Sequence, residues 1–531
     1  MTRSRESYLT PKKYWGVFSW IFSTDHKRIG VLYLVAGLTF FCAGAALAVL
    51  MRLEMLTPGT TLVSAETYDR LFTMHGFTMI FLFVIPVVPG AFGNLFLPIM
   101  IGARDMAFPR LNLLSWWLYV SGGVLLYATA LTAGGVPDTG WTLYPPYSIV
   151  TSTNVSLSAF AIFLVGFSSI LTGMNFVTTI HTLRAPGMTW FRMPLFVWTM
   201  YATTLTQVLA TPVLAIAVLL LIFERFLGVG FFDPAKGGDP IMFQHLFWIY
   251  SHPAVYIMVL PAMGVVTEII PVFARRTVFG YKAIAFSSVA IATFGFTVWG
   301  HHMFVSGESG VANMAFSFLT FAVAIPSAVK VFNWLATMYR GSISLQAPML
   351  YAMSFIFFFS VGGITGLTAG ALATDVQVHD TYFIVGHFHY VMFGGTGFGF
   401  LGGLHYWFPK ITGRLYRERP AVIGWAIAFA GFVALYGPMF SLGLDGMPRR
   451  YYNYLPRFES LQVFSTVGSW VLVTGLLVVF GNLAWGLFRG ERAGANPWGG
   501  TTLEWQLPSP LPAENFEETP RMTQGPYVYG D

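Results

Sequence analysis

Six histidines lie in stretches of the chain that are otherwise apolar: His75, His252, His301, His302, His387 and His389. An ionisable side chain inside a hydrocarbon-embedded helix is costly and marks an interior functional site. Imidazole is also the nitrogen ligand that suits copper and iron. The spacing sharpens this reading. His387 and His389 stand two apart, so on a helix turning ~100° per residue their rings leave nearly opposite faces, and one helix can serve two separate metal groups. His301 and His302 are neighbours diverging by ~100°, and with His252 they offer three imidazoles, a set suited to copper. Tyr256 follows His252 by one helical turn and shares its face, with Pro253 between them to kink the helix. Structural imidazoles hydrogen-bonded between helices are the competing reading. They would find little pairing here, because Glu268, about four turns from His252, is the one carboxylate in the stretches concerned. Cysteine-based metal clusters are excluded, since Cys42 is the single cysteine.

Composition supplies the scaffold that must position these groups. Of 531 residues, 55% are hydrophobic, 17% aromatic and 10% charged, against roughly 25% charged in soluble domains. Mean hydropathy is +0.64. Apolar runs bounded by charges and Gly/Pro clusters fall near 30–51, 71–101, 113–133, 154–180, 194–223, 245–271, 281–304, 312–338, 348–371, 381–408, 421–442 and 463–488. The expected fold is therefore an all-α polytopic membrane protein of about twelve transmembrane helices, with lipid as its solvent. An even number puts both termini on one side. Connections on that side carry Arg104, Arg110, Arg184, Arg192, Arg275, Arg276, Lys282, Arg340, Lys410, Arg414, Arg417 and Arg419, whereas basic residues are fewer in the opposite loops. Both termini are thus expected in the cytoplasm, and the six histidines in the outward half. Residues 1–28 form a polar N-terminal segment without the apolar core of a cleaved signal, 29–490 the helical domain, and 491–531 a Pro/Gly-rich cytoplasmic tail expected to have little structure of its own. The net charge of +6 reflects these inter-helical loops, which argues against nucleic acid as a partner.

The motifs TMHGFTMIF around His75, GARDMAFPRLN around Asp105, WIYSHPAVY around His252, TVWGHHMF, AIPSAVKVFNWLATM, VHDTYFIVGHFHYV and GMPRRY are shared with a known family. From Thr24 to about residue 490 the chain resembles subunit I of the haem–copper oxygen reductases, cytochrome c oxidases of the aa3 type. The resemblance implies two haems and a copper. His75 and His389 match the axial ligands of the low-spin haem a, which with both positions filled can only relay electrons. His387 matches the one protein ligand of the high-spin haem a3, and His252, His301 and His302 match the ligands of the copper, CuB. The tyrosine matching Tyr256 is, in this family, covalently linked to the histidine four residues before it and donates an electron and a proton. Arg52 matches the residue that hydrogen-bonds a haem formyl group, which favours a formyl-bearing haem. Arg449 and Arg450, with Trp141, His379 and Asp380, match the group around the haem propionates, where cations neutralise carboxylates. His379 and Asp380 also match ligands of a magnesium at the boundary with subunit II.

The same resemblance implies two proton routes. Lys330, with Ser327 one turn earlier, matches the K-channel, and its charge inside a span demands hydration or neutralisation. Asp105 matches the mouth of the D-channel, continued by Asn94, Asn112, Asn175, Ser168 and Ser169. Read alone, those polar groups serve equally as helix-packing hydrogen bonds. Arg104 and Leu113 depart from the family's common proline and second asparagine. A larger departure lies above, where the most familiar members carry a glutamate and this chain has Ala254. The YSHPxVY pattern resembles the branch in which a tyrosine and a serine, here Tyr250 and Ser251, take the glutamate's place.

The implied activity is reduction of O2 to water with electrons from cytochrome c through a CuA-bearing subunit II, coupled to proton pumping, beside a subunit III and small subunits in a bacterial plasma membrane. A quinol oxidase of the same superfamily would need a quinone-site Arg, Asp, His and Gln where Ala43, Leu47, Thr67 and Arg70 stand, and a nitric oxide reductase is opposed by Ala254 and Tyr256. A secondary transporter relaying protons through intramembrane histidines is the reading from another class, which haem absorption would separate.

Overall fold

The computed structural model describes residues 6–10 and 16–529, so Arg3, Arg5, Lys12 and Lys13 of the N-terminal segment and the last two residues of the tail lie outside the described residues. Among the described residues, ten helices are long and apolar enough to cross a membrane: α1 (His26–Glu54), α2 (Ala65–Met100), α3 (Pro109–Leu131), α4 (Val155–Thr182), α5 (Leu195–Leu227), α6 (Pro240–Ala274), α8 (Gly310–Met338), α9 (Ala347–Gly370), α11 (Glu418–Leu444) and α12 (Pro456–Arg489). Two further segments complete the expected twelve. One is α7 (Tyr281–Gly295), and the other is α10 over 382–412, whose glycines and histidines dilute its hydropathy. The expected span 281–304 is divided: α7 stops at Gly295, and His301 and His302 lie on a separate tight turn, Trp299–His302.

Local chemistry explains the starts and stops. Asp25, Ser64, Asp239 and Ser309 each accept a backbone N–H in the first turn of α1, α2, α6 and α8, satisfying donors a helix leaves orphaned. Gly228 ends α5 with φ 68°, the left-handed cap that costs glycine nothing. Within α2 and α10 the helix widens into π-helical turns over Thr78–Val84, Val87–Gly93 and Tyr390–Gly397. Pro86 and Pro89 donate no N–H bond in α2, and such widened turns recur at functional sites.

The bundle is built around α6, whose apolar window is entirely buried, and α2, which is nearly so; α8 is mostly outward-facing. Large apolar side chains on the outside, such as Leu131, Phe318 and Phe488, suit a hydrocarbon surround. Helices α11 and α12 approach closely through small residues: a Cβ on Gly431 would lie 2.2 Å from the backbone of Leu472, and one on Gly475 2.3 Å from that of Ala428.

The tail departs from expectation. Its regular structure is one short turn, Leu503–Gln506, but it is docked across the ends of α1, α5, α6 and α10. Trp505 is buried and donates to the Tyr406 hydroxyl at 2.8 Å. Asn515 bonds His26 and receives Lys27 Nζ at 2.9 Å, and Tyr527 donates to Glu268 at 2.5 Å while accepting the Leu195 amide at 2.6 Å. Aromatic burial and paired polar groups thus replace regular structure as the source of order, a pattern with no periodic sequence signature.

Candidate metal and proton-conducting site

His252 lies buried in the middle of α6, and the turn after α7 brings His301 and His302 against it. His252 Nδ1 is 3.1 Å from His302 Nε2, which is itself 3.1 Å from His301 Nε2, and the three ligand atoms fall within 4.8 Å of one another. Three imidazoles bound to one ion at ~2.0 Å would hold their nitrogens roughly 3.3–3.6 Å apart. The donor set therefore fits copper in both chemistry and spacing. Two of the rings are also fixed from behind. His301 Nδ1 meets Thr320 Oγ1 at 2.9 Å, and His302 stacks on Trp248 with centroids 3.7 Å apart and planes 7° from parallel. Such outer contacts orient ligands as much as the ligands' own backbone does. The Tyr256 ring lies 4.9 Å from that of His252 at 64°. It can lie there because α7 presents Gly295, where a Cβ would come within 2.6 Å of Tyr256 Cδ2.

The remaining histidines share one device. His75 Nδ1 faces the Gly44 carbonyl at 2.9 Å, His389 Nδ1 the Val385 carbonyl at 2.8 Å, and His387 Nδ1 the Gly362 carbonyl at 3.0 Å, with Thr365 Oγ1 at 3.2 Å. A carbonyl only accepts, so Nδ1 carries the proton in each ring and Nε2 keeps its lone pair, the tautomer a metal requires. These residues fit axial haem ligation. His387 also leans on α9 at Gly366, where a Cβ would come within 2.9 Å of its ring, and His389 stacks on Tyr436 of α11 at 4.2 Å. His389 is followed directly by a π-helical turn, and one begins three residues after His75.

Around this centre, Arg52 donates through Nη2 to the Gln462 carbonyl at 2.8 Å and to Thr466 at 2.7 Å, while its buried Nε has no partner among the described residues. An orphaned cationic donor fits a polar acceptor on a bound group, as a formyl would supply. Arg449 Nε donates to Asp380 at 2.7 Å, with a second contact from Nη2. His379 Nδ1 meets Asp375 at 3.0 Å, and its Nε2 is 3.9 Å from Asp380. Asp380 and Arg450 hold φ of 54° and 68°, a conformation non-glycine residues adopt at a cost that functional sites retain. Burial, then the neighbouring Arg449, draws the Arg450 guanidinium down to about 10, leaving it a cation at neutral pH. Trp141 packs on Phe81, Phe247 and Trp248.

Below the centre, the expected polar residues form two groups. Asn112 donates to Asn94 at 2.6 Å, and Asn175 brackets the backbone of Phe108. Ser168 joins Tyr33 and Ser115, two residues the sequence reading did not single out, at 3.2 and 2.6 Å. Asp105 accepts the Met106 amide at 2.7 Å, and burial pushes its carboxyl above the ordinary range. The Oγ of Ser169 and that of Ser251 are buried without a partner among the described residues, and Tyr250 is buried beside Ser251. In the second group, fully buried Lys330 donates to Ser288 Oγ at 2.7 Å and to the Ile284 carbonyl at 3.2 Å. Ser327 turns instead to its own helix, donating to the Val323 carbonyl at 3.0 Å. Ser288 carried no sequence signal, because serine on an apolar helix usually bonds its own backbone.

The model of the family "Cytochrome C and Quinol oxidase polypeptide I" matches residues 28–471 of this chain, and the matched stretch contains His75, His252, His301, His302, His387 and His389. The chain belongs to that family. Among curated members, it is 47% identical over 510 residues to cytochrome c oxidase subunit 1 of Thermostichus vulcanus, covering 96% of this chain and 92% of that one. The identity is 46% to the Synechocystis protein of the same name, over 98% of this chain and 94% of that one. It is 42% to the Bacillus subtilis protein, over 96% of this chain and 83% of that one. A solved haem–copper terminal oxidase dimer superposes with a TM-score of 0.77 at 17% identity, covering 92% of this chain and 87% of that one, which shows the shared fold. For a member of this family the histidine cluster is the place to seek haem and copper.

Proposed function

We propose that this chain is the catalytic subunit of a cytochrome c oxidase of the aa3 type, coupling reduction of O2 to water to proton pumping. The observation that carries the reading is the convergence of His252, His301 and His302 with Tyr256 in ring contact with His252. Two haems and a copper, when bound, supply electron relay and dioxygen reduction. His75 and His389 would hold the low-spin haem through Nε2, His387 the high-spin haem, and the triad the copper. Arg52 would donate to a formyl oxygen, and Arg449, Arg450 and Trp141 would hold the propionates. His379 and Asp380 would contribute to a magnesium shared with subunit II.

The chain's own work is to orient these rings, exclude water, and deliver protons. Tyr256 would release the proton of its hydroxyl beside His252 and be reprotonated through Lys330 Nζ and Ser288. Asp105, Asn94, Asn112, Asn175, Ser168 and Ser169 would form the second route. Tyr250 and Ser251 would end it in place of the carboxyl absent at Ala254. Cytochrome c is favoured over quinol because Ala43 and Leu47 offer no polar recognition on α1, and because the relatives described carry the cytochrome c oxidase name. A CuA-bearing subunit II, subunit III and small subunits would complete the assembly. Bacterial relatives support a bacterial plasma membrane, with both termini cytoplasmic by loop charge.

The test is a reduced-minus-oxidised spectrum with pigment extraction, together with O2 uptake driven by reduced cytochrome c or by quinol. Two formyl-bearing haems and uptake with cytochrome c alone are expected. Uptake with quinol alone, or no haem absorption, overturns the reading.

A further inference from the structure

Four buried side-chain oxygens on three successive helices have no hydrogen-bond partner among the described residues: Ser169 Oγ on α4, Gln207 Oε1 and Thr211 Oγ1 on α5, and Ser251 Oγ on α6. Ser169 and Ser251 belong to the proposed proton route; Gln207 and Thr211 have no role in it so far. Gln207 is the sole amide side chain in α5, whose other buried residues are apolar, hydroxyl-bearing or at the helix end. An amide in such a helix is costly unless its carbonyl finds a donor.

Their position is specific. Glycines on α4 let α5 approach, so that a Cβ on Gly173 would lie 3.3 Å from Gln207 Cβ and one on Gly166 3.3 Å from Thr211 Cγ2. Gln207 and Thr211 therefore occupy one seam against α4, a single turn apart. At the lower end of that seam is a cavity of about 20 Å³ bounded by Tyr33, Ser168, Ser169, Thr172 and Gln207, room for roughly one water. The register of α5 against α6 is fixed below Gln207, near the start of α5, where the Phe196 amide reaches Glu268 at 2.9 Å and Thr199 lies against Gly264. Following that antiparallel register upward sets Thr211 about level with Ser251 and His252. Tyr250, about four turns before Gly264, returns to the face of α6 that packs on α5. The unpartnered oxygens thus mark a path from the Ser168–Ser169 cluster across α5 to Tyr250 and Ser251.

We infer that Gln207 and Thr211 are positioning residues that hold water between the Ser168–Ser169 cluster and Tyr250–Ser251, carrying protons over the gap where Ala254 offers no carboxyl. This rests on the reading of Tyr250 and Ser251 as the upper end of the route. A water donating to Gln207 Oε1 can accept from a serine hydroxyl of the Ser168–Ser169 cluster that lines the same cavity. The Thr211 hydroxyl, both donor and acceptor, passes the bond order upward without itself ionising.

The test uses the assembled oxidase in vesicles, comparing Gln207→Leu, Gln207→Asn, Thr211→Val, Thr211→Ser and Tyr250→Phe. Haem and copper spectra serve as the check on assembly. Proton uptake is followed in a single turnover in H2O and D2O. Gln207→Leu is expected to slow uptake by about tenfold or more with a raised solvent isotope effect, as loss of a proton-transfer group does. Thr211→Val should act less strongly, and Gln207→Asn and Thr211→Ser should retain uptake. Unchanged uptake in Gln207→Leu with intact spectra overturns the inference; should that variant fail to assemble, unchanged uptake in Thr211→Val does so. If Tyr250→Phe slows uptake while both apolar α5 variants are silent, the inference falls and the reading of Tyr250 stands. If Tyr250→Phe is silent, that reading falls and takes the inference with it.

Discussion

His252 Nδ1 and His302 Nε2 face each other at 3.1 Å across the junction of α6 and the turn after α7, and His301 Nε2 stands equally close to His302. Three nitrogens so placed cannot all present lone pairs to one another without a cation or proton between them. His302→Asn is therefore expected to lower copper content by at least about tenfold, while both haems remain, since their ligands are anchored on other carbonyls. Metal analysis beside the optical spectrum reads this; copper retained at wild-type content would remove His302 from the ligand set.

Tyr256→Phe keeps the ring that packs on His252 and Gly295 and deletes only the hydroxyl. Haem and copper contents are expected to stay, and turnover to fall by about 100-fold or more, the scale of a lost acid–base group. Steady-state O2 uptake measures it, and near-normal turnover would assign Tyr256 a packing role.

The histidine cluster was legible as a candidate metal site because ionisable groups in apolar helices have few structural uses, so type and spacing pointed to the chemistry. Helix spans were legible for the same reason, to within a few residues. What linear order hid was proximity. Nothing in the sequence places the Thr320 hydroxyl behind His301 or Ser288 on Lys330, since serine and threonine read as ordinary helix residues until a partner helix is docked. The break after Gly295 was also hidden, because hydropathy runs on through Trp299. So was the docked tail, whose order comes from scattered aromatics rather than a period.

Lys330 and Ser288 make a second pair open to test. Lys330→Met should leave the metals in place and slow turnover by about tenfold or more. Ser288→Ala, removing one hydrogen bond to a charged or proton-carrying group worth about 1.5–3 kcal/mol, should produce a smaller loss. Equal effects would mean that Ser288 itself carries the proton.

Docking of the tail should depend on pH through Glu504. Its carboxyl is fully buried beside Trp407 and Thr502, with Oε2 unpartnered among the described residues, and burial pushes it above the ordinary carboxylate range, opposed by the Thr502 and Trp407 hydrogen bonds and nearby Lys410. A carboxyl raised in the docked state is neutral there at pH values where a released tail would ionise. Docking is thus unpenalised below the ordinary carboxyl value and weakens as pH rises through the raised one. The cost of ionising in place is on the order of 1–3 kcal/mol, that of a buried group left unsatisfied. Limited proteolysis of the 491–529 segment in the assembled protein should accelerate as pH rises above the ordinary carboxylate range. Glu504→Gln, which keeps the shape and cannot ionise, should flatten that dependence, whereas Trp505→Ala should raise cleavage at every pH by emptying an aromatic pocket worth about 3–5 kcal/mol. A pH dependence that survives Glu504→Gln would remove Glu504 as the titrating group of the docked tail.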